Sequence, residues 1–225
     1  MARIRHALVL GTATAAVLTV AATPASAATT TIRAGSATAA AYAGNVQADL
    51  LGTATVSSSL GGGTCDESTM TGSIQSNGTG LTIASASFSG PGGGPCAGAT
   101  SSTITTQNLP WTGGNVTYDP NHTGGRDATV TIANFRVRAV VNLFGGITCI
   151  YGGSLTANGY NGDNANRPDT SNGEAQVGVN GATVNRQSGS NFFCPSTAQV
   201  TATYQLRGES TPGSGTFDQS LYVTG

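Results

Sequence analysis

The 225-residue chain holds 33 glycines and only 8% charged residues, far below the roughly 25% of ordinary soluble domains. Lysine is absent, and the formal net charge of −1 supplies no field that would draw in nucleic acid or anionic lipid. The length allows one domain, at most two, and disorder driven by charge repulsion is excluded because it needs a high net charge.

The first 27 residues have the three parts of an export leader. Arg3, Arg5 and His6 make a basic start, Ala7 to Ala22 an apolar stretch, and Ala25-Ser26-Ala27 a small-residue cleavage site. The apolar stretch is shorter than the ~20 residues that cross a bilayer. Removal of 1–27 leaves a single domain, 28–225, with seven arginines against ten acids. No later hydrophobic tail or N-terminal lipidated cysteine offers an anchor, so a released, extracellular protein is expected, with no nucleic-acid partner.

Residues 28–45 are Ala/Thr-rich and weakly patterned, an extension or an edge strand. Val46, Ala48 and Leu50 begin a strand. Asn77-Gly78 lies between two apolar runs and predicts a two-residue hairpin turn in which Ile74 faces Leu81 and Gly72 faces Ile83. Extending that ladder carries Cys65 towards Gly90, a short loop from Cys96, which pairs those two cysteines. The remaining pair is Cys149 with Cys194, consistent with oxidation after export.

From Ala128 to Leu143, Val130 and Ile132 keep one phase while Phe135, Val137, Ala139 and Val141 keep the other. A phase change inside one strand needs an extra residue, so a β-bulge is expected near Ala133-Asn134. Asn180-Gly181 predicts a second hairpin, with Val177 opposite Val184 and Val179 opposite Ala182. Val200, Ala202, Tyr204 and Leu206 alternate with polar residues, as do Phe217, Gln219, Leu221 and Val223. Helical periodicity is nearly absent. Eight to ten short strands predict an all-β, antiparallel two-sheet sandwich with two disulfides, the alternative being a jelly roll or a partly open barrel.

Catalytic residue types are scarce. His122 is the only imidazole after the leader, and neither a nucleophile elbow nor a zinc motif occurs. The carboxylate pairs to weigh for acid–base work are Asp66 with Glu67, Asp119 with Asp127, and Asp163 with Asp169 or Glu174. No cofactor is expected. Calcium is the one metal alternative, because Asp119, Asn121, Thr123 and Asp127 place oxygens at spaced loop positions, although Val130 stands where a bidentate Glu belongs. Trp111 is the sole tryptophan. A lone Trp after Pro more often plugs the end of a β core, and the other reading joins it with Tyr118, Tyr151 and Tyr160 as the candidate contact set for a glycan or a small hydrophobic ligand.

Three features together resemble a group of small exported four-cysteine β proteins of actinobacteria without assigned activity. They are the strand from Leu81-Thr82-Ile83 to Phe88 before Cys96, the segment Asn108-Leu109-Pro110-Trp111, and Cys149-x-Tyr151 followed by Cys194-Pro195 and Ala202-Thr203-Tyr204. The likeness covers most of 60–206. A fainter one reaches pseudomonad secreted activators of alkane oxidation. It implies an extracellular β domain and carries over no catalytic residue. The expected function is a non-catalytic structural or binding role outside the cell. A carbohydrate- or small hydrophobic ligand-binding module is the alternative, and a hydrolase using loop carboxylates is a third reading.

Overall fold

The computed structural model describes residues 29–98, 101–143 and 145–225; the leader expected over 1–27 lies outside them. Among the described residues thirteen antiparallel strands form one continuous sheet. They are β1 (Thr31–Ala34), β2 (Gly44–Ser58), β3 (Gly61–Cys65), β4 (Glu67–Ile74), β5 (Leu81–Ser89), β6 (Ala97–Gly98), β7 (Ser102–Thr106), β8 (Trp111–Tyr118), β9 (Ala128–Val141), β10 (Ile147–Tyr160), β11 (Ala175–Arg186), β12 (Thr197–Glu209) and β13 (Phe217–Thr224).

The sandwich expectation is corrected here. β12 pairs with β11 on one side and with β2 on the other, so the sheet closes on itself as an eight-stranded barrel. Its lower ring runs β2-β4-β5-β8-β9-β10-β11-β12. Five of these strands, β2 and β9 to β12, are long enough to continue into an upper ring. There the wall is completed by shorter pieces: β3 pairs with β2, β6 with β3, and β7 with β9. A two-residue bridge, with backbone bonds of 2.8 and 3.0 Å between Cys96 and Ser102, links β6 to β7. Period-2 alternation serves a sandwich and a barrel equally well, which is why it cannot separate them.

The alternation itself is as read. On β12, Ala198, Ala202 and Tyr204 are buried and Thr197, Gln199 and Thr201 are exposed. Outward rows are rich in Thr, Gln and Arg, and inward rows are apolar. That is the inverse of a barrel facing lipid. The phase change on β9 also occurs where expected. Asn134 is exposed with φ 58°, and the pairing with β10 slips between Gly153/Phe135 and Leu155/Ile132.

Both Asn-Gly signals are corrected in detail. At the first, Gly72 does pair with Ile83, but the loop holds three residues. The Gln75 N–H bonds the Thr79 carbonyl, Asn77 keeps a negative φ, and Gly78 alone is left-handed at φ 77°. At the second there is no hairpin. β11 runs straight through Asn180-Gly181 as a bulge, flanked by Val179/Ala202 and Ala182/Val200, with Gly181 at φ 63°. Strands on both flanks, β10 and β12, hold it extended.

Both disulfides pair as expected, Cys65 with Cys96 and Cys149 with Cys194. They indicate an oxidising compartment. Among the described residues no helix is long and apolar enough to cross a membrane.

Candidate functional site

The barrel interior is where the fold concentrates something other than packing. Eight strands give a bore just wide enough for side chains to fill or for one small ligand. Here many inward positions are Ala: Ala54, Ala128, Ala157, Ala175, Ala198 and Ala202 are all buried. The bore is therefore incompletely filled and holds two apolar cavities. The lower, about 140 Å³, is bounded by Met70, Ile83, Val130, Ile132, Leu155 and Val177 among others. The upper, about 150 Å³, is bounded by Val56, Ile104, Val137, Ile147, Tyr151 and Val184, with Cys65, Cys96 and Cys149 in its wall. Phe88, Phe135, Val200 and Tyr204 border both and form a waist.

The two ends differ. A ribbon of β1 and β13 crosses the lower mouth and presents Ile32, Leu221 and Val223 to the lower cavity. Buried Asn161 fastens it. Its side-chain amide donates to the Val223 carbonyl (3.1 Å) and its Oδ1 accepts from the Val223 N–H (2.7 Å), as a strand would. Gln176 is fully buried and holds the adjacent loop through the N–H and carbonyl of Asp169, at 2.9 and 2.6 Å. At the upper end β3 contributes Gly61, Gly62 and Gly63, so backbone alone bounds the cavity on that flank.

Several candidate carboxylates are engaged by donors, whereas Glu174 lies 3.3 Å from Arg207 Nε through Oε1 and its buried Oε2 has no hydrogen-bond partner among the described residues. Asp119 accepts the N–H groups of Asn121 (3.0 Å) and Thr123 (3.2 Å) and Arg126 Nε (2.7 Å). Asp127 accepts the N–H of Asn161 and the Asn164 amide, both at 2.8 Å. Glu67 binds the N–H groups of Gly92 and Gly93, Asp169 the N–H and hydroxyl of Ser171, and Asp163 the Tyr222 hydroxyl. His122 Nδ1 lies 3.2 Å from Asp127 Oδ1 on an exposed turn, and no side-chain hydroxyl bonds its other nitrogen among the described residues. Asp119 and Asp127 lie opposite one another, joined by the Asp119 N–H to the Asp127 carbonyl at 2.8 Å, but each is taken up by its own donors.

Burial pushes the Asp119 carboxyl up, but its N–H donors and Arg126 outweigh that and hold it below the usual carboxylate range. Glu209 is likewise held low by the Gly213 N–H first, against burial, with help from Gly215 and Asn45. Folded pKa values below the unfolded ones contribute stability above about pH 4, and that stability is lost as pH falls through the folded values. The urea midpoint is therefore expected to be flat from pH 7 to 5 and to fall below about pH 4, and Glu209→Gln should flatten the acid limb. A midpoint that rises on acidification would contradict these contacts.

The four aromatic candidates do not assemble into one platform. Trp111 is 1% exposed; its indole N–H donates to the Gln107 carbonyl at 2.8 Å and its ring packs on Phe135, centroids 4.9 Å apart. It is a core residue that braces the waist, not an exposed stacking surface. Tyr151 borders the upper cavity and donates to the Pro195 carbonyl. Tyr160 borders the lower cavity. Tyr118 lies at the lower end with its ring edge-on to His122. Phe88 and Val200 were read only as strand residues and not as lining of an interior site, and exposed Leu60, Phe192 and Phe193 were not singled out. The adjacent Phe192-Phe193 pair beside Cys194 in a loop was the available signal, since neighbours in a short loop cannot readily both turn inward.

No family model, curated protein or solved structure matches the chain.

Proposed function

We propose that the protein is a non-catalytic, secreted binding barrel that holds a small, uncharged apolar molecule in its interior. The observation that carries this is the pair of apolar cavities on either side of the Phe88–Phe135–Val200–Tyr204 waist. At about 24 cal/mol per Å³, each void of this size costs roughly 3 kcal/mol against a filled core. Net stabilities are only about 5–15 kcal/mol, so two such voids are a heavy loss unless something occupies them. Apolar cavities of this size stay dry and accept benzene-sized guests. The donors held by Asp119, Asp127, Glu67 and Asp169 support a binding role over hydrolysis, and the burial of Trp111 favours an apolar guest over a stacked sugar.

Toluene is a suitable probe. Saturating toluene is expected to raise the thermal midpoint by the equivalent of about 1–3 kcal/mol and to alter the emission of Trp111, which touches the Phe135 partition. Ala202→Leu projects into the lower cavity. It should stabilise the free protein by about 1 kcal/mol and shrink the toluene response; Ala175→Val is the milder filling variant. No midpoint shift with toluene or xenon, together with destabilisation by both fillings, would show an interior that is simply packed.

A further inference from the structure

A pair of hydroxyls interrupts the apolar waist of the bore. Along β4 the inward row is Ser68, Met70, Gly72 and Ile74, all buried, and Ser68 stands opposite the waist residue Phe88 in the β4–β5 register. Its Oγ lies 3.0 Å from the Tyr204 hydroxyl, a contact that spans β2, which pairs with both β4 and β12. Tyr204 borders both cavities.

The pair is left with one hydrogen too many. Tyr42 and Tyr151, also buried, donate to the backbone carbonyls of Asn45 and Pro195, and Trp111 donates to that of Gln107. Those donors are matched by groups that only accept. Ser68 and Tyr204 instead have each other, and neither makes a further side-chain hydrogen bond among the described residues. Two hydroxyls carry two hydrogens, and the bond between them uses one. A buried donor without an acceptor is costly, and Ala with Phe at these positions would avoid that cost. Burial pushes the Tyr204 phenol up, outweighing the Ser68 hydrogen bond, so the group stays a neutral donor.

We infer that Tyr204 is the polar anchor of the interior site, donating its hydroxyl hydrogen to a guest that is apolar except for one uncharged oxygen acceptor, such as a small aryl or alicyclic ketone or aldehyde. The inference rests on the interior being a ligand site, and it narrows the class of guest. With the guest seated, Ser68 donates to Tyr204 Oη and Tyr204 donates to the guest, so both hydrogens are spent. Tyr204 carries the contact because it borders both cavities, whereas Ser68 borders neither. The acceptor is uncharged because no Asp, Glu, Lys, Arg or His among the described residues lines either cavity, and an unpaired charge would not be desolvated there.

Calorimetric titration with styrene and benzaldehyde tests this, since the two share a shape and differ by a carbonyl oxygen in place of a terminal CH2. The chain has no lysine for the aldehyde to modify. The benzaldehyde-to-styrene affinity ratio is expected to be about tenfold higher in the wild type than in Tyr204→Phe, with styrene binding, which also reports folding, little changed. In Ser68→Ala, where Tyr204 has no competing partner, the ratio should be at least that of the wild type. Independently of any variant, the carbonyl stretch of benzaldehyde bound to the wild type should lie at lower wavenumber than in hexane. The inference is overturned if that stretch matches hexane, if Tyr204→Phe leaves the ratio unchanged or weakens both probes alike, or if Ser68→Ala drops the ratio to the Tyr204→Phe value, which would put the donor on Ser68. Styrene binding with a ratio that neither substitution moves removes the anchor and leaves the interior site standing. No binding of either probe and no toluene response removes both, so the two failures are distinguishable.

Discussion

Phe135→Ala is expected to lower stability by about 3–5 kcal/mol, a drop in thermal midpoint on the order of 10 °C for a domain of this size. Phe135 lies just beyond the β9 bulge, borders both cavities and packs on Trp111. Truncation removes the partition between two existing voids, so the neighbours have little to collapse onto and the cost should fall at the upper end of that range. The same change predicts a gain. The merged bore should respond to an elongated apolar probe, such as hexylbenzene, that the wild type excludes, while emission from Trp111 shifts to the red as its packing partner disappears. Circular dichroism melts with toluene and hexylbenzene check both halves. A loss below about 1 kcal/mol with unchanged probe selectivity would mean that Phe135 does not divide the interior.

The second large effect concerns the bridge between Cys65 and Cys96. Their sequence separation of 31 gives about 4 kcal/mol on the loop-entropy account. Its position adds a local consequence. Among the described residues the upper ring is completed between β6 and β7 by the backbone pair of Cys96 and Ser102, and the disulfide ties that pair to the end of β3. In Cys65→Ser/Cys96→Ser, hydrogen exchange is expected to accelerate first in β3, β6 and β7, while the lower ring keeps its protection. Urea unfolding measures the global loss. Uniform loss of protection around the barrel, or an unchanged urea midpoint, would show that the upper ring does not depend on this bridge.

Local signals were read correctly where a local cause is sufficient. The phase change at Ala133-Asn134 demanded an extra residue whatever lay on either side, and Asn134 is that residue. The ladder from Ile74/Leu81 ran the right way to bring Cys65 beside Cys96, although the turn itself is built from Gly78 in a three-residue loop. Where two tertiary outcomes share one local pattern, the reading went astray. Asn-Gly with a left-handed Gly181 is equally at home in a hairpin turn and in a bulge; β10 and β12 on either side of β11 decide for the bulge. Trp111 after Leu109-Pro110 reads either as a plug on the core or as a contact residue, and Phe135, distant in sequence and packed on its ring, decides for the plug.

Alternation, cysteine number and composition were enough to establish strands, two bridges and a chain poor in catalytic groups, because each depends on covalent chemistry or on a period of two along a single strand. Closure depended on β12 finding β2, a pairing of residues about 150 positions apart that leaves no mark in either segment. From that closure come the bore, the waist, and the gathering of Leu60, Phe192 and Phe193 at one end. These are properties of how strands meet around an axis, and no one strand contains them.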